Sequence, residues 1–86
     1  MKMVILIVKD HDADAVTQTL TTAEYRVTRV ASTGGFLRSG VVTLLLGVDD
    51  DRVNPVIDLV RAKLGPSSGD KRATLFVVPV ERYEQV

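Results

Sequence analysis

Residues 25–48 read YRVTRVASTGGFLRSGVVTLLLGV, and how this stretch divides decides the fold. In Tyr25 to Val30, side chains alternate as they do along a strand: Tyr25, Val27 and Arg29 point one way, and Arg26, Thr28 and Val30 the other. Val41 to Val48 is a second apolar run of strand character. Between them lies Ala31 to Gly40, a loop with a glycine pair, hydroxyl side chains, a cation and the bulky Phe36 and Leu37. A plain hairpin turn needs none of these. The middle of the chain is therefore two successive strands joined by an unusual loop. Gly47, inside the second of them, predicts a bulge or a close approach by another backbone or a ligand.

Working outward, Met3 to Val8 (MVILIV) is continuously apolar and β-branched, as in a central strand buried on both faces. Lys9 to Asp14 (KDHDAD) ends it, with Asp12 or Asp14 as the expected helix cap. Ala15, Val16, Leu20 and Ala23 keep roughly helical spacing, which predicts a helix over residues 12–23. Its threonines weaken helix propensity, so packing must hold it. On the other side, Asp49 to Asp51 is expected to cap a second helix. Val53, Val56, Ile57, Val60 and Leu64 form its apolar stripe, and Pro55 fits only in its first turn. Gly65 to Arg72 (GPSSGDKR) is a breaker-rich connection, and Ala73 to Val80 (ATLFVVPV) is the last strand. Pro79 marks an edge position or the strand's limit. Glu81 to Val86 is a polar tail. The order β-α-β-β-α-β predicts an α+β fold, the ferredoxin-like sandwich of four antiparallel strands with two helices on one face, as one domain over residues 1–86. Strands one and three are expected at the centre. The open sheet face is partly apolar, and neighbouring copies are the simplest cover for it.

Composition narrows the function. With 86 residues and only 5% aromatics, the core must be built from Val, Leu and Ile, and a chain this small often gains stability by oligomerising. The formal net charge of zero provides no basic field for nucleic acid. The absence of cysteine excludes a disulfide scaffold and thiol catalysis, and fits a cytoplasmic location. No stretch approaches the ~18 apolar residues of a membrane span.

Asp10, Asp12 and Asp14 have the alternate spacing of an EF-hand loop, but Ala15 replaces its glycine and Thr21 its closing glutamate, so capping is the better reading. The one histidine, His11, cannot complete a metal phosphohydrolase site. No GxSxG elbow occurs and His11 has no visible link to a serine, so nothing argues for an enzyme. The loop has a better case as an anion site. Gly34-Gly35 can turn successive N–H groups toward a phosphate, Thr28, Ser32, Thr33 and Ser39 can donate hydrogen bonds, and Arg26, Arg29 and Arg38 can neutralise charge. No GK[ST] follows, so this is not a Walker A loop; a flexible hairpin connection fits the glycines equally well. Phe36 and Leu37 are costly to expose. They pack at a subunit interface, sandwich a ligand base, or do both if the site lies between subunits.

The run Arg26 to Gly40, RVTRVASTGGFLRSG, resembles the PII-like cyclic di-AMP receptors. The opening MKMVILIVKDHDAD, the segment Thr43 to Val53 (TLLLGVDDDRV) and Ala73 to Gln85 (ATLFVVPVERYEQ) are similar to the same family. The resemblance implies a PII-like homotrimer that binds cyclic di-AMP between subunits and performs no catalysis, needs no cofactor, and signals to a protein target that the sequence does not name. It implies ligand-binding roles for Arg26 and Thr28 on the second strand and for Gly34, Gly35, Phe36 and Leu37 in the loop. Gly47 would allow the close approach, and Phe76 and Gln85 would come from the last strand and tail, Gln85 reading an adenine edge. Two departures stand out. Val41 occupies the position where the family has an asparagine that helps hold adenine, which removes a hydrogen bond of about 1 kcal/mol. The family's long glycine-rich loop before the last strand is reduced to Gly65 to Arg72. The expected function is thus a PII-like signalling protein binding an adenine nucleotide, cyclic di-AMP foremost. The alternative is a structural or protein-interaction trimer that lost its ligand. A metal-responsive trimer of the CutA-like kind shares the fold, but one histidine and no cysteine argue against it.

Overall fold

The computed structural model describes residues 1–30, 40–65 and 72–86. Strand β1 (Lys2–Lys9) leads into helix α1 (Asp10–Thr22); strands β2 (Thr28–Val30) and β3 (Val41–Val48) follow. A single 3-10 turn, Asp50–Arg52, opens into helix α2 (Val53–Leu64), and strand β4 (Ala73–Pro79) closes the order. The strands form one antiparallel sheet in the order β2-β3-β1-β4. This is the βαββαβ ferredoxin-like arrangement, with the two apolar strands β1 and β3 at the centre. Gly34, Gly35, Phe36 and Leu37 lie outside the described residues.

Strand periodicity explains the two faces of the sheet. Val4, Leu6 and Val8 of β1 and Val42, Leu44, Leu46 and Val48 of β3 are buried beneath the helices. Ala13, Val16 and Leu20 of α1, with Val56, Val60 and Leu64 of α2, meet them. Burying each such Val or Leu contributes about 1.5–3 kcal/mol; among the described residues the fully buried core is aliphatic, with Tyr25 packed against it. On the other face Met3, Ile5, Ile7 and Leu45 stay half-exposed.

Several expectations need correction. Helix α1 starts at Asp10 rather than residue 12, its cap residue is Lys9, and no side chain caps it. Ala13, not Ala15, turns to the core. Asp12 is buried beside Arg72, and Asp14 pairs with Arg29 at 2.7 Å. Asp49 to Asp51 does not cap α2 by side chain either; Asp50 and Asp51 form the 3-10 turn, and Arg52 is the cap residue. Strand β2 is shorter than the predicted Tyr25 to Val30, because pairing with β3 begins only at Thr28. Gly47 forms no bulge: the β1–β3 register runs unbroken through Met3↔Gly47. Pro55 is the third residue of α2, inside the first turn as its missing N–H requires. Pro79 is the last residue of the edge strand β4, which thus ends one residue before the predicted Val80.

The connection from α1 to β2 is a Schellman turn. Tyr25 N–H donates to Leu20 O at 3.0 Å, and Glu24 N–H donates to Thr21 O at 3.0 Å. The motif needs a left-handed residue after the helix, and here Glu24 takes it, at φ 70°. A glutamate in this region costs about 1 kcal/mol or more that glycine would not. The turn delivers Tyr25, Arg26 and Val27 to the edge of the sheet.

Candidate nucleotide site on the open face of the sheet

The register sorts the expected ligand residues into cross-strand rows. Thr28 pairs with Leu45, Leu45 with Ile5, and Ile5 with Phe76. Thr28 and Phe76 therefore share a face and a row but stand at opposite edges, about 14 Å apart by the usual strand spacing. Phe76 is 53% exposed, a large cost for a ring that nothing in this chain covers among the described residues. Val41 is the first residue of β3, half-buried opposite Lys9, and Gly47 is near its far end, about 20 Å away along the strand. Gln85 lies in the exposed tail.

One depression brings two of these residues together. It measures about 400 Å³, and Arg26, Gly47, Tyr25, Arg52 and Asp49 are among the residues lining it. A Cβ placed on Gly47 would meet nothing within 4 Å, so the missing side chain leaves open space over the strand. The close approach expected there is therefore not made by this chain's described residues. On the rim, Arg52 Nε–H donates to the Tyr25 hydroxyl at 3.0 Å, and its guanidinium carbon sits 5.1 Å from the ring centroid. That hydrogen bond, with the attraction of the same hydroxyl, pushes the pKa of Arg52 further up. Arg26 is exposed and lines the depression, as do the carboxylates of Glu24 and Asp49. A cation, a side-chain-free strand segment and an aromatic edge together can receive an anionic, planar ligand.

Tyr25 and Arg52 were not legible as site residues. Tyr25 reads as one more alternating strand residue, and Arg52 as part of a helix start. Only the fold brings the two together across 27 residues of chain.

The acidic cluster is otherwise engaged. Asp12 accepts from Arg72 Nη2 at 2.8 Å and Asp14 accepts from Arg29 Nη1 at 2.7 Å. Among the described residues no three metal-ligating side chains stand together. A second depression of about 550 Å³ lies between the helices, against Gln18, Thr19, Leu59 and Lys63, and none of the expected ligand residues lines it. Among the described residues no helix is long and apolar enough to cross a membrane.

Comparison with known proteins points the same way. The model of a family described as cyclic-di-AMP receptor matches residues 1–68. A crystal structure of a functionally unknown protein from Pediococcus pentosaceus is similar at 29% sequence identity, with a TM-score of 0.77, over 99% of this chain and 96% of that one.

Proposed function

The chain belongs to the cyclic-di-AMP receptor family, and from that premise we propose that it is a non-catalytic PII-like signalling protein that binds an adenine nucleotide, cyclic di-AMP foremost. Its working form is a homotrimer of one PII-like domain over residues 1–86, and the ligand sits between subunits. It needs no cofactor, binds neither nucleic acid nor membrane, acts in the cytoplasm and passes its signal to a protein target.

The observation that carries this reading is the family match over residues 1–68, a span that includes β1 through α2 and the TGGFLR loop. Geometry supports a site between copies. Thr28 and Phe76 sit at opposite edges of one sheet face, so a second chain can bring its Phe76 edge to the first chain's Thr28 edge. The open face, with Met3, Ile5, Ile7 and Leu45 half-exposed, suits burial against such a copy. The proposed ligand residues are Arg26, Thr28, Gly34, Gly35, Phe36, Leu37, Val41, Gly47, Phe76 and Gln85.

Isothermal titration with cyclic di-AMP, ATP, ADP and AMP tests the proposal. Saturable heat with cyclic di-AMP at one site per chain is the expected result. No heat with any adenine nucleotide, from a folded trimer, refutes the sensor. A second reading, a protein-interaction trimer without a ligand, draws on Val41, whose apolar side chain cannot hydrogen-bond a base. It predicts capture of one protein partner irrespective of added nucleotide.

A further inference from the structure

Strand β2 is paired only from Thr28 onward, yet the three residues before it keep the strand's alternation. Tyr25 and Val27 pack against the core while Arg26 is exposed. The register that sets Thr28 against Leu45 would, two residues further, set Arg26 against Gly47. No ladder bond joins that pair, so the sheet is open at this corner and the 400 Å³ depression occupies it. The ladder therefore does not fix where Arg26 stands.

Arg52 does. It follows Gly47, Val48 and Asp49 in the chain, and its N–H donates to Asp49 O at 2.9 Å, which ties it to the β3 side of the opening. Its side chain crosses to the β2 side, where Nε–H meets the Tyr25 hydroxyl at 3.0 Å and the guanidinium lies over the ring. Tyr25 is the residue before Arg26. Its backbone is already anchored to Leu20 by the Schellman turn. One hydrogen bond and one stacking contact thus span the corner that the ladder leaves open.

We propose that Arg52 is a positioning residue for the nucleotide site: its grip on Tyr25 fixes the unpaired start of the second strand so that Arg26 faces Gly47 across the depression. This deepens the functional reading above and rests on it. Arg52 acts by pre-organisation, sparing the ligand the cost of ordering residues 25–27. The grip needs a planar, stacked cation with an Nε donor, which lysine lacks.

The test uses Arg52→Ala, Arg52→Lys and Tyr25→Phe, each alone and in an Arg26→Ala background, with cyclic di-AMP as the titrant. Amide hydrogen exchange of residues 24–28 is followed in the free protein. Arg52→Ala should accelerate exchange at residues 25–27 and weaken binding roughly three- to tenfold, the range of one ordinary hydrogen bond, since this one is exposed. Arg52→Lys should recover little of the loss, and Tyr25→Phe, which keeps the stack, should lose less than Arg52→Ala. In the Arg26→Ala background Arg52→Ala should add nothing, because its effect passes through Arg26. Unchanged exchange at residues 25–27, or a full additive loss without Arg26, overturns the proposal. A wild-type chain that binds no adenine nucleotide overturns the functional reading instead, and the exchange rates still decide whether Arg52 holds the start of β2.

Discussion

Arg72 Nη2 donates to Asp12 Oδ1 at 2.8 Å, and Arg72 Nη1 donates to the carbonyl of Leu64. One side chain thereby joins the start of β4 to the first turn of α1 and the last turn of α2. The Asp12 side chain is 11% exposed and that of Arg72 38%. The pair is lopsided, and the consequences of breaking it are too. Arg72→Ala strands a buried carboxylate and should cost about 2 kcal/mol, below the range for fully buried pairs because Arg72 is partly solvated. Asp12→Ala leaves a guanidinium that water can reach and should cost about half as much. Urea denaturation checks this, and the double variant should be more stable than Arg72→Ala alone.

Glu24 occupies a backbone region that suits glycine. Glu24→Gly relieves left-handed strain but loosens the unfolded chain, a net gain of up to about 1 kcal/mol. Glu24→Val places a β-branched side chain there and should cost at least as much. Thermal melts of the two variants should move in opposite directions.

Gly47 has open space where a side chain would go. Gly47→Ala should therefore leave the melting temperature of the chain unchanged or slightly raised, since alanine costs less backbone entropy than glycine in a strand. The proposed site uses that space, so the same variant should bind cyclic di-AMP about tenfold more weakly, a 1.4 kcal/mol loss. Equal affinity for both forms places the ligand elsewhere.

Val41 is half-buried at the start of β3. Val41→Asn supplies an amide that can hydrogen-bond a base and, if the proposed site includes position 41, should tighten cyclic di-AMP binding by about 1 kcal/mol, at some cost in strand propensity. Titration of both forms is the check, and an Asn variant that binds no better removes position 41 from the site.

Phe76 exposes half its ring on the open face. If that ring meets a neighbouring copy, Phe76→Ala should lower the trimer fraction in sedimentation equilibrium while far-ultraviolet dichroism stays the same. An unchanged mass distribution would take Phe76 out of the interface.

Much of the architecture was legible because it rests on local periodicity. Val41 to Val48 was bounded correctly, and MVILIV is central as its continuous apolar run predicts, but only Val4, Leu6 and Val8 are buried, and the other face, with Met3, Ile5 and Ile7, stays half-exposed. The stripe from Val53 to Leu64 read as one helix face for the same reason. The acidic run KDHDAD misled. Aspartates before a helix suggest caps, but the helix begins within the run, and Asp12 turns inward to a partner 60 residues away. The left-handed Glu24 carries no glycine to announce it. Of the expected site, alternation placed Arg26 and Thr28 on one side of the second strand, while the face that Thr28, Gly47 and Phe76 share came only from the register.

The sequence by itself determined the order of elements, the alternation of the second strand, the apolar stripe of the second helix, and the kinship that the TGGFLR run and its flanks carry. Those are written in nearest-neighbour chemistry: a period of two, a period near 3.6, and a short motif. The tertiary structure alone decided where β2 stops pairing, which arginine meets Tyr25, and which carboxylate is buried. Each depends on residues that only chain reversal brings within hydrogen-bond reach, and a side chain's partner across 27 or 60 residues leaves no mark in local pattern. The corner where Arg26 and Gly47 face each other unpaired belongs to that second kind.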